Sequence, residues 1–199
     1  MVKSGSPSPL DQFIPHPDVA ERFAIRIKAP APLVFDAACG IDLQSVSLVR
    51  GIFWLREKFM RATPPPQGEP QGMLRELLGL GWGVLIEEPG RLIVCGAACQ
   101  PWKANVVFHP LAPDRFAAYT EPNQVKIAWT LEVQALGPAL TRFVTETRAV
   151  ATDAAARAEF RHYWRWAQFG IVAIRLLWLP AVRREAQRRW RSTARAGTA

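Results

Sequence analysis

The sequence predicts an α+β fold in which a curved antiparallel sheet wraps around a long C-terminal helix, with two short helices following the first strand. Three observations predict it. Most of the segment from Trp82 to Val150 is built of period-two stretches separated by turn residues. An N-cap pair, Thr152-Asp153, then opens a stretch with no breaker before Gly170 and Pro180. Finally, 199 residues with 49% hydrophobic and 21% charged side chains suit one globular domain with a sizeable core.

The first strand is expected where Phe23, Ile25 and Ile27 alternate with Arg22, Ala24, Arg26 and Lys28. Pro30 and Pro32 punctuate it, and Leu33 to Cys39 follows as a short helix, with Pro32 near the first turn where a missing N–H is harmless. A second helix is expected after Asp42 or Ser45, its broad apolar face running from Val46 to Met60. Pro64, Pro65, Pro66 and Pro70 make Thr63 to Gly72 a loop, after which Met73 to Leu80 resumes a helix.

Trp82 to Glu88 and Arg91 to Gln100 flank Glu88-Pro89-Gly90 and predict a hairpin. Asn105 to His109 and Arg115 to Tyr119 are weaker strand candidates, interrupted by Pro110 and Pro113. Val125 to Val133 alternates cleanly, Gly137-Pro138 turns the chain, and Thr141 to Val150 returns antiparallel. The closing helix is expected to reach about Gln187, with Phe160, Tyr163, Trp164, Ala167, Ile171, Ile174 and Trp178 on its inner stripe and Pro180 ending or kinking it. The short early helices cannot form a whole layer, so the sheet should bury its face on this terminal helix. Residues 1–20 read as a Ser/Pro-rich loose tail, 21–187 as the domain and 188–199 as a basic tail.

The net charge of +8 is concentrated: Arg183, Arg184, Arg188, Arg189, Arg191 and Arg195 face one acid, Glu185, at the C-terminal end. Cations there complement the helix dipole, and the remaining body gives no reason to expect a nucleic-acid partner. Cys39, Cys95 and Cys99 show no metal spacing with His16, His109 and His162. On one strand Cys95 and Cys99 would lie about 13 Å apart, too far for a bridge, so reduced thiols and a cytoplasmic location are expected. No signal-peptide pattern opens the chain.

The element order, together with Glu88-Pro89-Gly90, Gly96, Trp102, Thr145-Glu146-Thr147-Arg148, Thr152-Asp153, Phe160 and Tyr163-Trp164, resembles the START-like or SRPBCC superfamily, the helix-grip fold of the Bet v 1 allergens. The likeness covers roughly residues 21 to 187 and is nearest to uncharacterised bacterial SRPBCC proteins. It implies an apolar pocket between the concave sheet face and the last helix, and no cofactor or metal. The superfamily includes lipid carriers, polyketide cyclases and aromatases, hormone receptors and oxygenase domains, and a fold does not dictate a function.

Glu146 and Arg148 share one strand face with Val144 and Val150, and those valines suggest the concave side, where the pair would orient a ligand's polar end or exchange protons. With the faces exchanged, Phe143, Thr145, Thr147 and Ala149 point inward and the pair is structural. Trp129, Phe160, Tyr163, Trp164 and Trp178 are candidate pocket walls, and Trp102 a plug at its mouth. The first reading is a binder or carrier of a small hydrophobic, lipid- or polyketide-like molecule, without catalysis. One alternative is a cyclase or aromatase-like enzyme using the same cavity. The other is a membrane-surface module acting through the apolar stretch Trp166 to Val182 and the basic end with Trp190. The oligomeric state is left open.

Overall fold

Alternation of apolar and polar side chains lets a strand bury one row while the other meets solvent or a second layer. The computed structural model describes residues 7–41 and 72–196. Its strands are β1 (Val19–Ile27), β2 (Gly83–Glu88), β3 (Leu92–Cys99), β4 (His109–Pro110), β5 (Val125–Gly137) and β6 (Leu140–Ala151). The helices are α1 (Ala31–Gly40), α2 (Met73–Gly79), α3 (Pro113–Phe116) and α4 (Ala154–Ala196). The sheet runs β1-β6-β5-β3-β2, with β4 beside β3 and every pairing antiparallel. Strand, short helices, meander and long terminal helix follow in the helix-grip order. The expected helix over 46–60 and the loop over 63–71 lie outside the described residues.

The two faces of the sheet carry separate cores. On the inner face Ile27, Ile93, Cys95, Trp129, Leu131 and Phe143 pack with α1 and with Trp178, Leu179 and Val182 of α4. The sheet therefore divides its inner burial between α1 and α4, where the sequence suggested α4 alone. Pro32 sits in the first turn of α1, and Asp153 caps α4 by accepting the Ala156 N–H at 2.7 Å. On the outer face Leu85, Leu92, Val94, Phe116 and Ala128 form the second core.

Four expectations change. Residues 7–18 are no loose tail, because Leu10 and Ile14 are 0% and 1% exposed on that outer core. Arg115 to Tyr119 is not a strand: Pro113 begins the single turn α3, whose Phe116 plugs the outer core. Of Asn105 to His109 only His109 pairs with the sheet. Lastly, α4 continues through Pro180 and through the supposed basic tail to Ala196. The arginine-rich end, with Glu185 accepting from Arg188 and Arg189, simply extends the helix.

Candidate functional site

Strand β6 has both of its rows buried, and its orientation decides which polar residues meet α4. Phe143, Thr145 and Thr147 point to the helix, since Phe143 contacts Trp178 and both threonines accept hydrogen bonds from Arg175. The Nη2 of Arg175 reaches Thr147 Oγ1 at 2.6 Å, while Nη1 donates to Thr145 Oγ1. Glu21 of β1 stands opposite Thr147 in register, in the same row as Phe23, Ile25 and Ile27. A carboxyl, a guanidinium and two hydroxyls thus meet between the edge of the sheet and the middle of α4.

This polar group occupies a break in the inner packing. Phe160 of α4 is buried with Val125, Ala149, Ala151 and Ala156 at one end, and Trp178 is buried at the other. Between them no residue of α4 from Arg161 to Leu177 is fully buried, although Tyr163, Trp164, Ala167, Ile171 and Ile174 all lie on the inner stripe. From Phe160 to Trp178 the helix rises roughly 27 Å, so the break is long enough for a small elongated molecule. Two surface clefts, about 390 Å³ beside Gly40, Arg184 and Arg188 and about 290 Å³ beside Lys103, Asn105 and His109, lie apart from it.

The electrostatics of the break are unusual. Burial draws the Arg175 guanidinium down to about 10, an effect that Glu21 opposes. Its Cζ also lies over the Trp178 ring, 5.9 Å from the centroid. Burial raises the Glu21 carboxyl above its ordinary value, with the Arg175 charge working the other way. Two buried polar atoms beside this guanidinium, Glu21 Oε2 and Trp178 Nε1, have no hydrogen-bond partner among the described residues. One is an acceptor and the other a donor, and buried polar atoms are rarely left in that state without a water or ligand to meet them.

A pH dependence follows. Between the ordinary carboxyl value and the raised one, the folded chain holds more proton than the unfolded chain. The contribution of Glu21 to stability is therefore greatest below the ordinary value and declines as pH rises through the folded one. The urea midpoint of Glu21→Gln is expected to gain on that of the wild type as pH is raised from about 4 to about 7. A gap that stays constant with pH would show that this carboxyl titrates as it does in the unfolded chain.

The pair singled out in the sequence lies elsewhere. Glu146 and Arg148 point to the outer face, opposite α4, because the inner row of β6 is the odd-numbered one. Ser8 Oγ donates to Glu146 Oε2 at 2.8 Å, and Arg148 Nε donates to Glu146 Oε1 at 2.7 Å. A terminal nitrogen of Arg148 also donates to the Ile14 carbonyl at 2.9 Å and pairs with Asp11 at 2.8 Å. The pair clasps the N-terminal segment. Trp129 is buried in the inner core, edge-on to Trp82 at 6.1 Å. Trp102, Tyr163 and Trp164 are partly buried around Phe160, at the other end of the break. His109 and His162 are exposed, and no group of three or more metal-ligating side chains occurs among the described residues.

No family model matches the chain, and no curated protein does. Among solved structures it is similar to a hypothetical protein of Helicobacter pylori, with 10% identity over 94% of this chain and 99% of the other and a TM-score of 0.40. It is also similar to CalU16 of Micromonospora echinospora, at 15% identity, 87% and 86% coverage and a TM-score of 0.29. A third is the Zhui aromatase/cyclase of Streptomyces sp. R1128, at 14% identity, 86% and 94% coverage and a TM-score of 0.31. Likenesses this distant carry no weight for the site, whose reading rests on the geometry of this chain.

Proposed function

We propose that the break between the sheet and α4 binds one small hydrophobic molecule, its apolar body along Tyr163, Trp164 and Ile171 and its polar end at Arg175. The observation that supports this is the half-buried Arg175 guanidinium on Thr145 and Thr147, with two buried polar atoms near it, Glu21 Oε2 and Trp178 Nε1, that have no partner among the described residues. A ligand hydroxyl has the donor that Glu21 Oε2 lacks and the acceptor that Trp178 Nε1 lacks, whereas a ligand carboxylate would accept from Trp178 Nε1 and pair with Arg175. A lipid- or polyketide-like compound has that chemistry. The cyclase-like alternative calls for two groups that trade protons near neutrality. Burial raises the Glu21 carboxyl, but Arg175, even at about 10, stays charged and acts as a fixed cation, which leaves no second proton-exchanging partner beside it. Holding and polarising a ligand is what this pair does best.

Native mass spectrometry of freshly purified protein, followed by organic extraction, is expected to reveal a copurifying hydrophobe near one per chain. Titration with cis-parinaric acid, a fluorescent fatty acid whose carboxylate suits Arg175, gives the quantitative arm. Arg175→Met removes the charge and keeps much of the volume, and it is expected to weaken that binding about 10- to 100-fold, the range for one charged hydrogen-bonding partner. An empty wild type that ignores the fatty acid, or an Arg175→Met chain that binds it equally well, would sink the proposal.

A further inference from the structure

Helix α4 carries ten arginines against two acids, Glu159 and Glu185, so its excess of eight positive charges equals the net charge of the whole chain. The remainder of the protein is balanced. On the side of α4 away from the sheet, Trp166, Phe169 and Leu176 are 71%, 68% and 61% exposed. At about 100° per residue these three fall within a sector of roughly 80°, which also takes in Ala173 and Pro180. The stripe from Trp166 to Pro180 is about 21 Å long. Exposed arginines frame it, Arg165 before it and Arg183, Arg184 and Arg191 beyond it.

Large apolar side chains standing in a row at a helix surface mark an interaction face, and the frame of arginines says which kind. We infer that this outer face of α4 docks on an anionic lipid surface, with Trp166, Phe169 and Leu176 entering the interfacial layer and the flanking arginines meeting lipid phosphates. The geometry suits a helix lying in the interface plane, because apolar burial and attraction to anionic headgroups then add along the same line. No described helix is long and apolar enough to cross a membrane. A second copy of the chain on this face would bring two strongly positive helices together, which repulsion opposes. A nucleic-acid backbone would pair with the arginines but would leave the tryptophan and phenylalanine between them against phosphates. This surface is opposite the ligand-facing stripe of α4, so the two proposals stand or fall separately.

The test is co-sedimentation of the full chain with vesicles of phosphatidylcholine alone and with vesicles in which roughly a third of the lipid is phosphatidylglycerol. The wild type is expected to sediment with the anionic vesicles at about 0.1 M salt, with a blue shift in tryptophan emission, and to bind the neutral vesicles at least about tenfold more weakly. The triple variant Trp166→Ser, Phe169→Ser, Leu176→Ser alters only exposed positions. It is expected to keep the wild-type urea midpoint and to lose about tenfold or more of the vesicle binding. Arg183→Gln with Arg184→Gln is expected to lose binding to anionic vesicles by several-fold and to leave the weak neutral binding unchanged. Absence of wild-type sedimentation with anionic vesicles would overturn the inference, as would equal binding by the triple variant. Light scattering that shows a wild-type dimer and a monomeric triple variant, without vesicle binding, would reassign the face to self-association. Binding of duplex DNA that the triple variant retains, again without vesicle binding, would reassign it to nucleic acid.

Discussion

Glu146→Ala is expected to lower the unfolding free energy by about 3 kcal/mol, at the lower edge of the cost of removing one partner from a buried ion pair. Glu146 is buried and holds three groups at once: the Ser8 hydroxyl, the Arg148 guanidinium and, at 3.5 Å, Arg22. Without its carboxylate, Arg148 keeps only Asp11 and the Ile14 carbonyl, both contributed by the segment being held. Loss of the clasp should therefore release Leu10, Phe13 and Ile14 from Leu92, Val94 and Phe116. Urea unfolding would report the destabilisation. Amide exchange at Phe13 and Ile14, whose N–H groups donate to the Leu10 carbonyl, would report the release. Fatty-acid binding should be unchanged, because the pair lies on the face away from α4. If Glu146→Ala abolished fatty-acid binding while the segment stayed protected, the pair would be a ligand anchor after all.

Trp178→Ala is expected to cost about 3–5 kcal/mol, the range for truncating a buried aromatic in a packed core. That is a large share of the roughly 5–15 kcal/mol that holds a typical domain together. Trp178 is among the largest fully buried side chains, meets Phe143 edge-on at 5.6 Å and joins α4 to the inner core at the end of the break. Truncation would leave a cavity next to a half-buried guanidinium that has lost the ring beneath it. Trp178→Phe separates packing from polarity. It retains most of the ring and removes an N–H that has no partner among the described residues, so its cost should be about 1 kcal/mol or less. A loss comparable to that of alanine would mean the indole N–H is already satisfied in the folded protein. Thermal or urea unfolding of both variants decides the matter.

Much of the architecture was legible in residue order. Clean alternation from Val125 to Val133 marked β5, Pro89-Gly90 marked the β2–β3 turn, and Asp153 marked the start of α4, because each is a local rule satisfied by neighbours in sequence. Pro180 was misleading for the opposite reason. Its cost is local, whereas the burial of Trp178, Leu179 and Val182 on either side comes from the tertiary core and carries the helix through. The N-terminal segment looked loose because Ser and Pro dominate it, yet three apolar residues, Leu10, Phe13 and Ile14, are enough to seat it once a sheet face is present.

Residue order was enough for the class of fold, the antiparallel strands and the long aromatic-striped helix, since periodicity records which element a stretch can form. Which row of β6 turns toward α4 was set by long-range packing. Both rows are buried, Phe143 and Thr145 toward the helix and Val144 and Glu146 on the opposite face, so alternation in polarity could not rank them. For the same reason the candidate site was invisible in the sequence. Glu21 and Arg175 are far apart along the chain, each is a charge at an otherwise apolar position, and neither signals anything until strand pairing and helix packing bring them to the same break. Local spacing encodes local structure, whereas the meeting of distant side chains depends on how the two faces of the sheet are covered.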